Sequence, residues 1–299
     1  MAGCVITVLL NPAAGATDGL PPQAIIARFA AAGVDATVVL LHHDQDPADV
    51  AREASAHAAI VVAAGGDGTI SRLAAGLVGT GAALGVLPIG TMNHFAKDAG
   101  IPLDLDGAIA TIAAGRVSRV DVGRVNDRVF VNNCSIGVYP SIVEARDALR
   151  QQGHRKWPAF AAATWRVLRH YRGVDVRISA SGRQSAWRTP FVFVGNNAYE
   201  LEGIHLGGRP ALAGGQLVAY LAPRVRTHEL PMMLIRALLG RARQAGDFEV
   251  VSAAELWLGT PHAHRIRVAI DGETATMTTP LHCQIQAGAL PVLRPGGRR

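Results

Sequence analysis

Several residue types are scarce in this chain of 299 residues. Aromatic residues make up 5% and charged residues 17% of the sequence, and Lys97 and Lys156 are the only lysines, so arginine supplies nearly all of the cationic charge behind the net +6. Neither a block of like charges nor a low-complexity tract precedes the short arginine-rich end at 294–299. With 49% hydrophobic residues, the composition excludes a disordered chain and predicts compact domains.

Cysteine and long apolar segments are also in short supply. Cys4, Cys134 and Cys283 lie far apart in the sequence, which suits a reducing compartment and predicts neither a disulfide framework nor a metal site. No apolar stretch approaches the roughly 20 residues of a membrane span, and the first residues lack the basic segment of a secretory signal. We therefore expect a cytoplasmic protein.

The partners that a basic surface favours are anionic. Nucleotides, anionic lipid headgroups and nucleic acid all qualify on charge alone. No motif that combines aromatic and basic residues is visible, so we expect no nucleic-acid partner. Composition does not predict the oligomeric state.

The length of the chain, 299 residues, favours two domains over one. In the first part of the chain, apolar strands alternate with helical segments. Such alternation predicts a Rossmann-like α/β domain at 1–123, with a parallel sheet that is covered on both faces. The predicted strands span 5–10, 36–41, 59–64 and 84–87, and the predicted helices span 23–32, 47–57 and 70–78.

Beyond residue 123 the pattern changes to β-rich segments, which predict a second, mainly antiparallel domain at 124–289. Its predicted strands span 129–135, 174–179, 189–194, 216–221, 249–258 and 265–270. Two helix-like inserts at 157–171 and 228–245 mix large apolar residues with arginine. Interfacial membrane docking and ordinary packing on the domain core are both open for these inserts.

The most informative motif is Gly65-Gly66-Asp67-Gly68-Thr69, which follows an apolar strand and precedes a helix. Glycines let main-chain N–H groups approach an anion, and a helix N-terminus adds partial positive charge, so the motif predicts a phosphate cradle. Asp67 would repel a phosphate unless a metal ion or an ordered donor stood between them. We therefore expect a complex of a nucleotide with a metal ion.

Two further loops follow predicted strands, at 11–15 and 88–93. Asn11 and Pro12 begin the first loop, and in the second loop Gly90 can approach a ligand while Thr91 is placed as a helix N-cap. Ligands collect at the carboxyl ends of the strands in open sheets, so these loops and the glycine motif should converge. His94, directly after the second loop, is a candidate supporting residue.

In this order the motifs resemble the bacterial diacylglycerol kinase and sphingosine-kinase-like lipid kinase family. The resemblance covers essentially the whole chain and rests on the three loops together with Asp121-Val122-Gly123, Asn132 to Gly137, Gly195-Asn196-Asn197 and Asp271-Gly272-Glu273. The glycine motif alone is shared with NAD kinases, so the other motifs select the lipid kinases. A β-sandwich-like second domain is implied, and the end of the chain at about 290–299 is expected to return to the first domain.

The resemblance also implies roles for individual residues. Glu273 would accept a proton, Asp67 would be catalytic and hold Mg²⁺ through Mg-ATP, and His94, Asp121 and Asp271 would support the site. The implied nucleotide-binding residues are Asn11, Pro12, Gly15, Gly65, Gly66, Gly68, Thr69, Gly90, Thr91 and Asn93. Many members of the family carry an aspartate where this chain has His94. Relatives also commonly have an Asp-Gly pair, in a loop that holds a structural Mg²⁺, where this chain has Leu212 to Leu217 without a carboxylate.

The sequence therefore predicts an enzyme that transfers the γ-phosphoryl group of ATP, with Mg²⁺, to a lipid hydroxyl at a membrane surface. Diacylglycerol is the expected acceptor class, and peripheral association with the membrane would follow. Two alternatives stay open at this point. One is an NAD kinase-like phosphotransferase, and the other is a nucleotide-binding regulatory protein without catalysis.

Overall fold

The structure, a computed structural model, describes residues 6–14, 21–151, 164–169, 171–199, 209, 211–222, 229 and 248–296. The chain forms two compact units. Unit 1 comprises Met1–Val122, Ala211–Ala213 and Gln286–Arg299, and unit 2 comprises Gly123–Pro210 and Gly214–Ile285.

Unit 1 alternates strands and helices, as the sequence predicts. Its elements are β1 (Ile6–Leu10), α1 (Pro22–Ala31), β2 (Ala36–Leu40), α2 (Pro47–Ser55), β3 (Ile60–Gly65), α3 (Asp67–Leu77), β4 (Ala83–Pro88), α4 (His94–Asp98), α5 (Leu105–Ala113) and the first part of β5 (Val117–Val125). Helix boundaries follow local chemistry, because Asp46 caps α2 through Ala48 N at 2.9 Å and Asp104 caps α5 through Gly107 N at 2.7 Å.

The sheet of unit 1 is parallel, with the strand order β2-β1-β3-β4. The final part of β16 (Leu281–Leu293) adds a further parallel strand, pairing Val292 with Leu84 of β4. The connection from β1 leads to β2 on one side of β1, and the connections that follow lead to β3 and β4 on its other side. Right-handed crossovers therefore place α1 on one face of the sheet and α2 and α3 on the other. The predicted parallel α/β architecture is confirmed.

Unit 2 is built mainly of antiparallel strands. Its elements are β6 (Arg128–Phe130), β7 (Asn133–Gly137), α6 (Val138–Gln151), β8 (Val174–Ala180), β9 (Arg183–Thr189), β10 (Phe191–Asn196), β11 (Leu217–Leu221), β12 (Glu249–Ala253), β13 (Glu255–Gly259), β14 (Arg265–Ile270), β15 (Glu273–Thr278) and the first part of β16. One sheet has the order β12-β11-β10-β7-β14-β15, and β16, β13, β8 and β9 pair in sequence in a second sheet.

The core of unit 2 contains side chains from both of these sheets. Cys134, Val194 and Leu217 come from the six-stranded sheet, whereas Leu256 and Cys283 come from the other. Every one of these side chains is buried. Two antiparallel sheets that share one apolar core form a sandwich, which confirms the expected class of the second domain.

The two thiols in this core lie side by side although they are 149 positions apart in the sequence. Cys134 and Cys283 are both free and buried. A hydrogen bond with the Cys283 side chain, together with burial, raises the pKa of the Cys134 thiol well above its usual value. The structure thus shows a proximity that the sequence spacing did not suggest.

Several predicted boundaries were wrong. The predicted strand 129–135 is two strands, β6 and β7, and 249–258 is also two, since β12 and β13 belong to different sheets. Helix α6 was not predicted. Of the insert at 157–171, residues 164–169 are helical, and the insert at 228–245 lies almost entirely outside the described residues. No helix within the described ranges combines the length and the apolar character that crossing a bilayer requires.

Candidate functional site

The turn between β3 and α3 is shorter than the sequence predicts. Gly65 is the last residue of the strand, Gly66 is the N-cap, and Asp67 already opens the helix. The prediction that the helix begins at residue 70 was wrong, because Asp67, Gly68 and Thr69 form its first turn. No described side chain caps this terminus, so the first N–H groups of an 11-residue helix are available to an anion.

A hydrogen bond joins the loop after β1 to this helix. The Nδ2 atom of Asn11 donates to Oγ1 of Thr69 at 2.8 Å, and Oδ1 of Asn11 accepts from Ala13 N at 3.0 Å. Gly65 must lack a side chain here, since a Cβ would lie 2.6 Å from the Cβ of Thr69. Asn11 therefore orients both its own loop and the first turn of α3.

The loop after β4 packs directly on the same turn. A Cβ on Gly90 would lie 2.4 Å from the Cα of Gly66 and 2.9 Å from Oδ1 of Asn93. Such contacts leave no room for a methyl group, so the glycine at position 90 is a steric requirement of the backbone approach. The three loops converge in unit 1, as we expected from their places at the ends of parallel strands.

Asn93, and not Thr91, is the N-cap of α4. Asn93 adopts a left-handed conformation with φ 52°. Its Nδ2 donates to Pro88 O at 3.0 Å and Gly90 O at 2.9 Å, while its Oδ1 accepts from Gly90 N at 3.1 Å. The capping prediction for Thr91 was wrong because the loop closes on the Asn93 amide, which leaves Thr91 exposed in the bend.

Asp67 is held by a donor from the third loop. Its Oδ1 accepts from Phe95 N at 3.1 Å, and Oδ2 has no hydrogen-bond partner within the described part of the chain. The ordered donor considered from the sequence is therefore present for one oxygen. The second oxygen lies on a half-buried residue beside the open helix terminus.

These residues fit a magnesium ion that arrives with a nucleotide. Mg²⁺ is commonly bound through one or two carboxylates plus substrate phosphates, and rarely by a cage made only of protein groups. The described residues contain no cluster of three or more His, Cys, Asp or Glu side chains that could hold a metal alone. Among the described side chains of this cluster, Asp67 is the one that would hold such an ion, through Oδ2.

The other predicted residues of unit 1 differ in their placement. Pro12 is exposed in the β1 loop, and Gly68 is half-buried in the first turn of α3. His94 is exposed at the start of α4, next to Phe95, whose N–H binds Asp67. Gly15 lies outside the described residues. Gly68 and His94 therefore lie beside the loop cluster.

Asp121 has a structural position in unit 1. It is 2% exposed, its Oδ1 accepts from Gly288 N at 2.8 Å, and its own N–H donates to Leu212 O at 2.8 Å. Asp121 thereby ties β5 to β16 and to the short segment at 211–213. This segment opens the loop that lacks the expected carboxylate of a structural Mg²⁺ site.

Asp271 and Glu273 lie in unit 2, at the hairpin between β14 and β15. Asp271 and Gly272 both have positive φ, 47° and 86°, as a two-residue type I′ turn requires. The Asp271 carboxylate accepts from the N–H groups of Val131 and Asn132 at 2.8 Å each and of Asn133 at 2.9 Å. Glu273 is exposed and pairs in register with Ile270.

Sequence reasoning missed Arg209, which is 3% exposed in unit 2. Its guanidinium donates to Val131 O, to Asn196 O at 3.2 Å and to Asn132 Oδ1 at 2.9 Å. An isolated arginine in the sequence carries no sign of burial. Two of these partners, Asn132 and Asn196, belong to the motifs at 132–137 and 195–197, which were singled out for the resemblance.

Comparisons with known proteins agree with this arrangement. Residues 5–125 match the family described as the diacylglycerol kinase catalytic domain, and residues 134–294, more than half of the chain, match the YegS C-terminal NAD kinase beta sandwich-like domain. The chain belongs to this lipid kinase family. It is therefore classed with enzymes.

Individual relatives share this family over most of their length. The protein named "Probable lipid kinase YegS" from Salmonella paratyphi A is 29% identical over 241 residues, which cover 77% of this chain and 76% of the relative. The protein of that name from Salmonella newport (strain SL254) is 28% identical over the same coverage.

Solved structures share the fold over nearly the whole chain. A diacylglycerol kinase from Bacillus anthracis str. Sterne has a TM-score of 0.72 at 19% identity and covers 99% of this chain and 98% of its own. A second structure from the same organism has a TM-score of 0.77 at 22% identity, with the same coverage. At these identities the likeness concerns the fold.

Proposed function

We propose that this member of the lipid kinase family transfers the γ-phosphoryl group of ATP to a lipid hydroxyl, with diacylglycerol as the acceptor. The observation that carries the proposal is the uncapped N-terminus of α3, which the Gly90 loop contacts and beside which Asp67 presents a carboxylate oxygen. Phosphoryl transfer asks a protein chiefly for positioning and for stabilisation of charge. The described cluster in unit 1 is built from groups that do both.

Phosphate binding falls to main-chain groups. The N–H groups in the first turn of α3 point out of the helix terminus, where the aligned peptide dipoles place partial positive charge. The hydrogen bond from Asn11 to Thr69 and the contact between Gly66 and Gly90 hold this turn in place. The donors are therefore fixed before the nucleotide arrives, which lowers the cost of reorganisation.

Asp67 is proposed to hold Mg²⁺ through Oδ2 while Phe95 N fixes Oδ1. When bound, Mg²⁺ supplies positive charge to the phosphate oxygens and to the ADP leaving group. The donor from Phe95 keeps the carboxylate in one orientation, so the second oxygen is presented in a defined direction.

Glu273 is proposed to accept the proton of the lipid hydroxyl. In the overall transfer the lipid oxygen forms a bond to the γ-phosphorus, the bond from that phosphorus to the β–γ bridging oxygen breaks, and ADP leaves with the electron pair. The proton lost by the hydroxyl goes to the Glu273 carboxylate. The exposure of Glu273 leaves this carboxylate accessible to an acceptor.

A layer of aromatic residues in unit 2, half-buried at Phe193 and buried at Tyr220 and the neighbouring Ser135, is consistent with a lipid as the acceptor. Ser135, Phe193 and Tyr220 are cross-strand neighbours on β7, β10 and β11, on the face of the sheet opposite to the core residues. The Ser135 hydroxyl oxygen is buried without a hydrogen-bond partner among the described residues. Aromatic rings beside one unpaired hydroxyl suit a ligand with an apolar body and a polar group.

A membrane setting follows from this acceptor. Diacylglycerol resides in the bilayer, so the enzyme must approach a membrane surface from the cytoplasm. The net charge of +6 favours anionic lipid headgroups. We propose peripheral association for this reason.

The proposal is tested by measuring the release of ADP from Mg-ATP under three conditions. The acceptor supplied is diacylglycerol in mixed micelles, NAD or none. We expect ADP release that depends on diacylglycerol. Because a positioned general base contributes roughly 10²- to 10⁴-fold, Glu273→Gln should lower kcat by about that factor and leave the affinity for ATP nearly unchanged.

Glu53→Gln, a change of an exposed carboxylate on α2, serves as the matched control and should keep full activity. Release driven by NAD would support the NAD kinase alternative, and bound ATP without turnover would support a regulatory protein. Near-normal turnover of Glu273→Gln would contradict the role of that residue.

A further inference from the structure

Arg209 is a buried cation in unit 2 that donates hydrogen bonds to oxygen atoms of two short segments. The guanidinium donates to the main-chain oxygens of Val131 and Asn196 and to the side chain of Asn132. It also lies over the ring of Tyr199, 5.7 Å from the centroid. Burying a charge is costly unless it is compensated. Arg209 supplies hydrogen bonds to these oxygen atoms that an apolar side chain could not supply.

One peptide group lies between Arg209 and Asp271. The C=O of Val131 accepts from Arg209, and the N–H of the same peptide, on Asn132, donates to Asp271 Oδ1 at 2.8 Å. A cation on the oxygen side and an anion on the nitrogen side polarise the peptide in the same direction. Hydrogen bonds aligned in this way strengthen one another.

The next peptide is held in the same manner. The C=O of Asn132 accepts from Asn196 N at 2.9 Å and from the Tyr199 hydroxyl at 3.0 Å, and the N–H of Asn133 donates to Asp271 Oδ1 at 2.9 Å. Asn132 contributes its side chain as well, through Oδ1 to Arg209 at 2.9 Å. The segment from Val131 to Asn133 is thus fixed on both of its edges.

This segment in turn fixes the hairpin that carries Glu273. Asp271 holds the segment through its carboxylate and also donates its own N–H to Asn133 O at 2.9 Å. Asp271 and Gly272 are the two turn residues, and Glu273 follows immediately, opposite Ile270. A shift of the segment therefore moves the turn, and with it the backbone from which the Glu273 side chain extends.

We propose that Arg209 is a positioning residue for Glu273, acting through the 131–133 segment and the Asp271 carboxylate. The inference rests on the proposed function, in which Glu273 accepts the proton of the acceptor hydroxyl. A misplacement of about 1 Å in a reacting group can cost roughly 10²-fold in rate. We therefore expect the loss of Arg209 to lower kcat.

A double-mutant cycle tests this inference. Arg209→Met and Arg209→Lys are each made in the native chain and in Glu273→Gln, and kcat with diacylglycerol micelles and KM for ATP are measured. Arg209→Met should lower kcat by about tenfold or more in the native chain and by less than about twofold in Glu273→Gln, because a group acting through Glu273 has no effect once that carboxylate is gone. KM for ATP should stay unchanged.

Arg209→Lys keeps the charge but loses the planar fork that reaches several oxygens at once, so its kcat should lie between those of the native chain and Arg209→Met. If Arg209→Met fails to fold, the lysine variant completes the cycle. Asp271→Asn offers an independent entry, since asparagine tolerates the positive φ of the turn while the negative charge is lost. Arg188→Met, at an exposed arginine of unit 2 that pairs with Asp175, is the matched control and should be neutral.

Three outcomes are distinguishable. A loss that vanishes in Glu273→Gln establishes the positioning role. Equal losses in both backgrounds would overturn it and leave Arg209 a structural residue, with the proposed function intact. Near-normal kcat for Glu273→Gln alone would overturn the proton-acceptor role and this inference with it.

Discussion

At the scale of single residues, Asp67 combines two demands that usually conflict. A carboxylate beside a phosphate site is repulsive, yet a metal ion needs an anionic ligand. The two carboxylate oxygens have different roles in our proposal. Oδ1 accepts a hydrogen bond from Phe95 N, and Oδ2 would bind the metal ion. An N–H donor from a different loop thus sets the direction of the charge.

Asp67→Asn removes the charge and can keep the hydrogen bond, since the amide oxygen of the variant can still accept from Phe95 N. We expect turnover to fall by about 10²-fold, a loss typical of removing one group that stabilises charge, with nucleotide binding less affected. The measurement is kcat against Mg²⁺ concentration, together with ATP binding. Asp35→Asn, at an exposed position before β2, is the control, and an unchanged Mg²⁺ dependence in Asp67→Asn would contradict the assignment.

The sequence predicted which residues form the contacts between the loops, but it did not predict the contacts that each residue makes. Gly66, Gly90 and Asn93 were all singled out, but Thr91 was predicted as the cap that Asn93 provides. Asparagine tolerates a left-handed backbone, so it can begin a helix and fold its amide back on its own loop. Arg209 was not predicted as a buried residue, because two of its three hydrogen-bond partners named here, Val131 and Asn132, are more than 70 positions away in the sequence.

At the scale of elements, the site of unit 1 depends on two strand-to-helix turns that meet at glycine. Gly66 and Gly90 allow the backbones after β3 and β4 to touch. The order of apolar strands and helices predicted the parallel sheet and hence this meeting. It could not predict that β12 and β13 separate into different sheets, since a single apolar run does not reveal where a strand changes partner.

Gly90→Ala should disturb this contact. The added methyl group would meet the Gly66 Cα at 2.4 Å, and neither backbone can move freely, so overpacking should lower the free energy of unfolding by about 1–3 kcal/mol. ATP binding should weaken as well, because the first turn of α3 would shift. Denaturant unfolding and ATP titration measure the two effects.

Gly259→Ala provides the matched control in β13. Its added Cβ would find its nearest atom at 3.9 Å, from Arg177, so the methyl group fits without displacing anything. We expect stability and ATP affinity close to those of the native chain. Equal behaviour of Gly90→Ala and Gly259→Ala would show that the contact between the two loops is not tight in solution.

At the scale of the whole molecule, polar and reactive side chains differ in how deeply they are buried. The residues of unit 1 that we propose to bind phosphate are partly accessible, whereas Cys134 and Cys283 are buried in the core of unit 2. Thiolates are the reactive form of cysteine. Because the neighbouring Cys283 side chain and burial raise the pKa of Cys134, the thiol of Cys134 stays protonated in the folded protein at pH 8.

Alkylation with iodoacetamide at pH 8, followed by peptide mapping, measures this protection. We expect Cys134 and Cys283, which are buried in the native protein, to react far more slowly there than in urea, where both thiols are exposed. The peptide that contains Cys4 is mapped separately. Equal rates for Cys134 in the native and unfolded proteins would contradict a sealed core in unit 2.

Phosphorylation of a lipid by this chain can be measured as transfer of label from γ-labelled Mg-ATP into a total lipid extract in mixed micelles, with Glu273→Gln alongside. We expect a labelled lipid, identified as phosphorylated diacylglycerol, whose formation is lost in the variant. ATP binding without any labelled lipid would contradict this expectation.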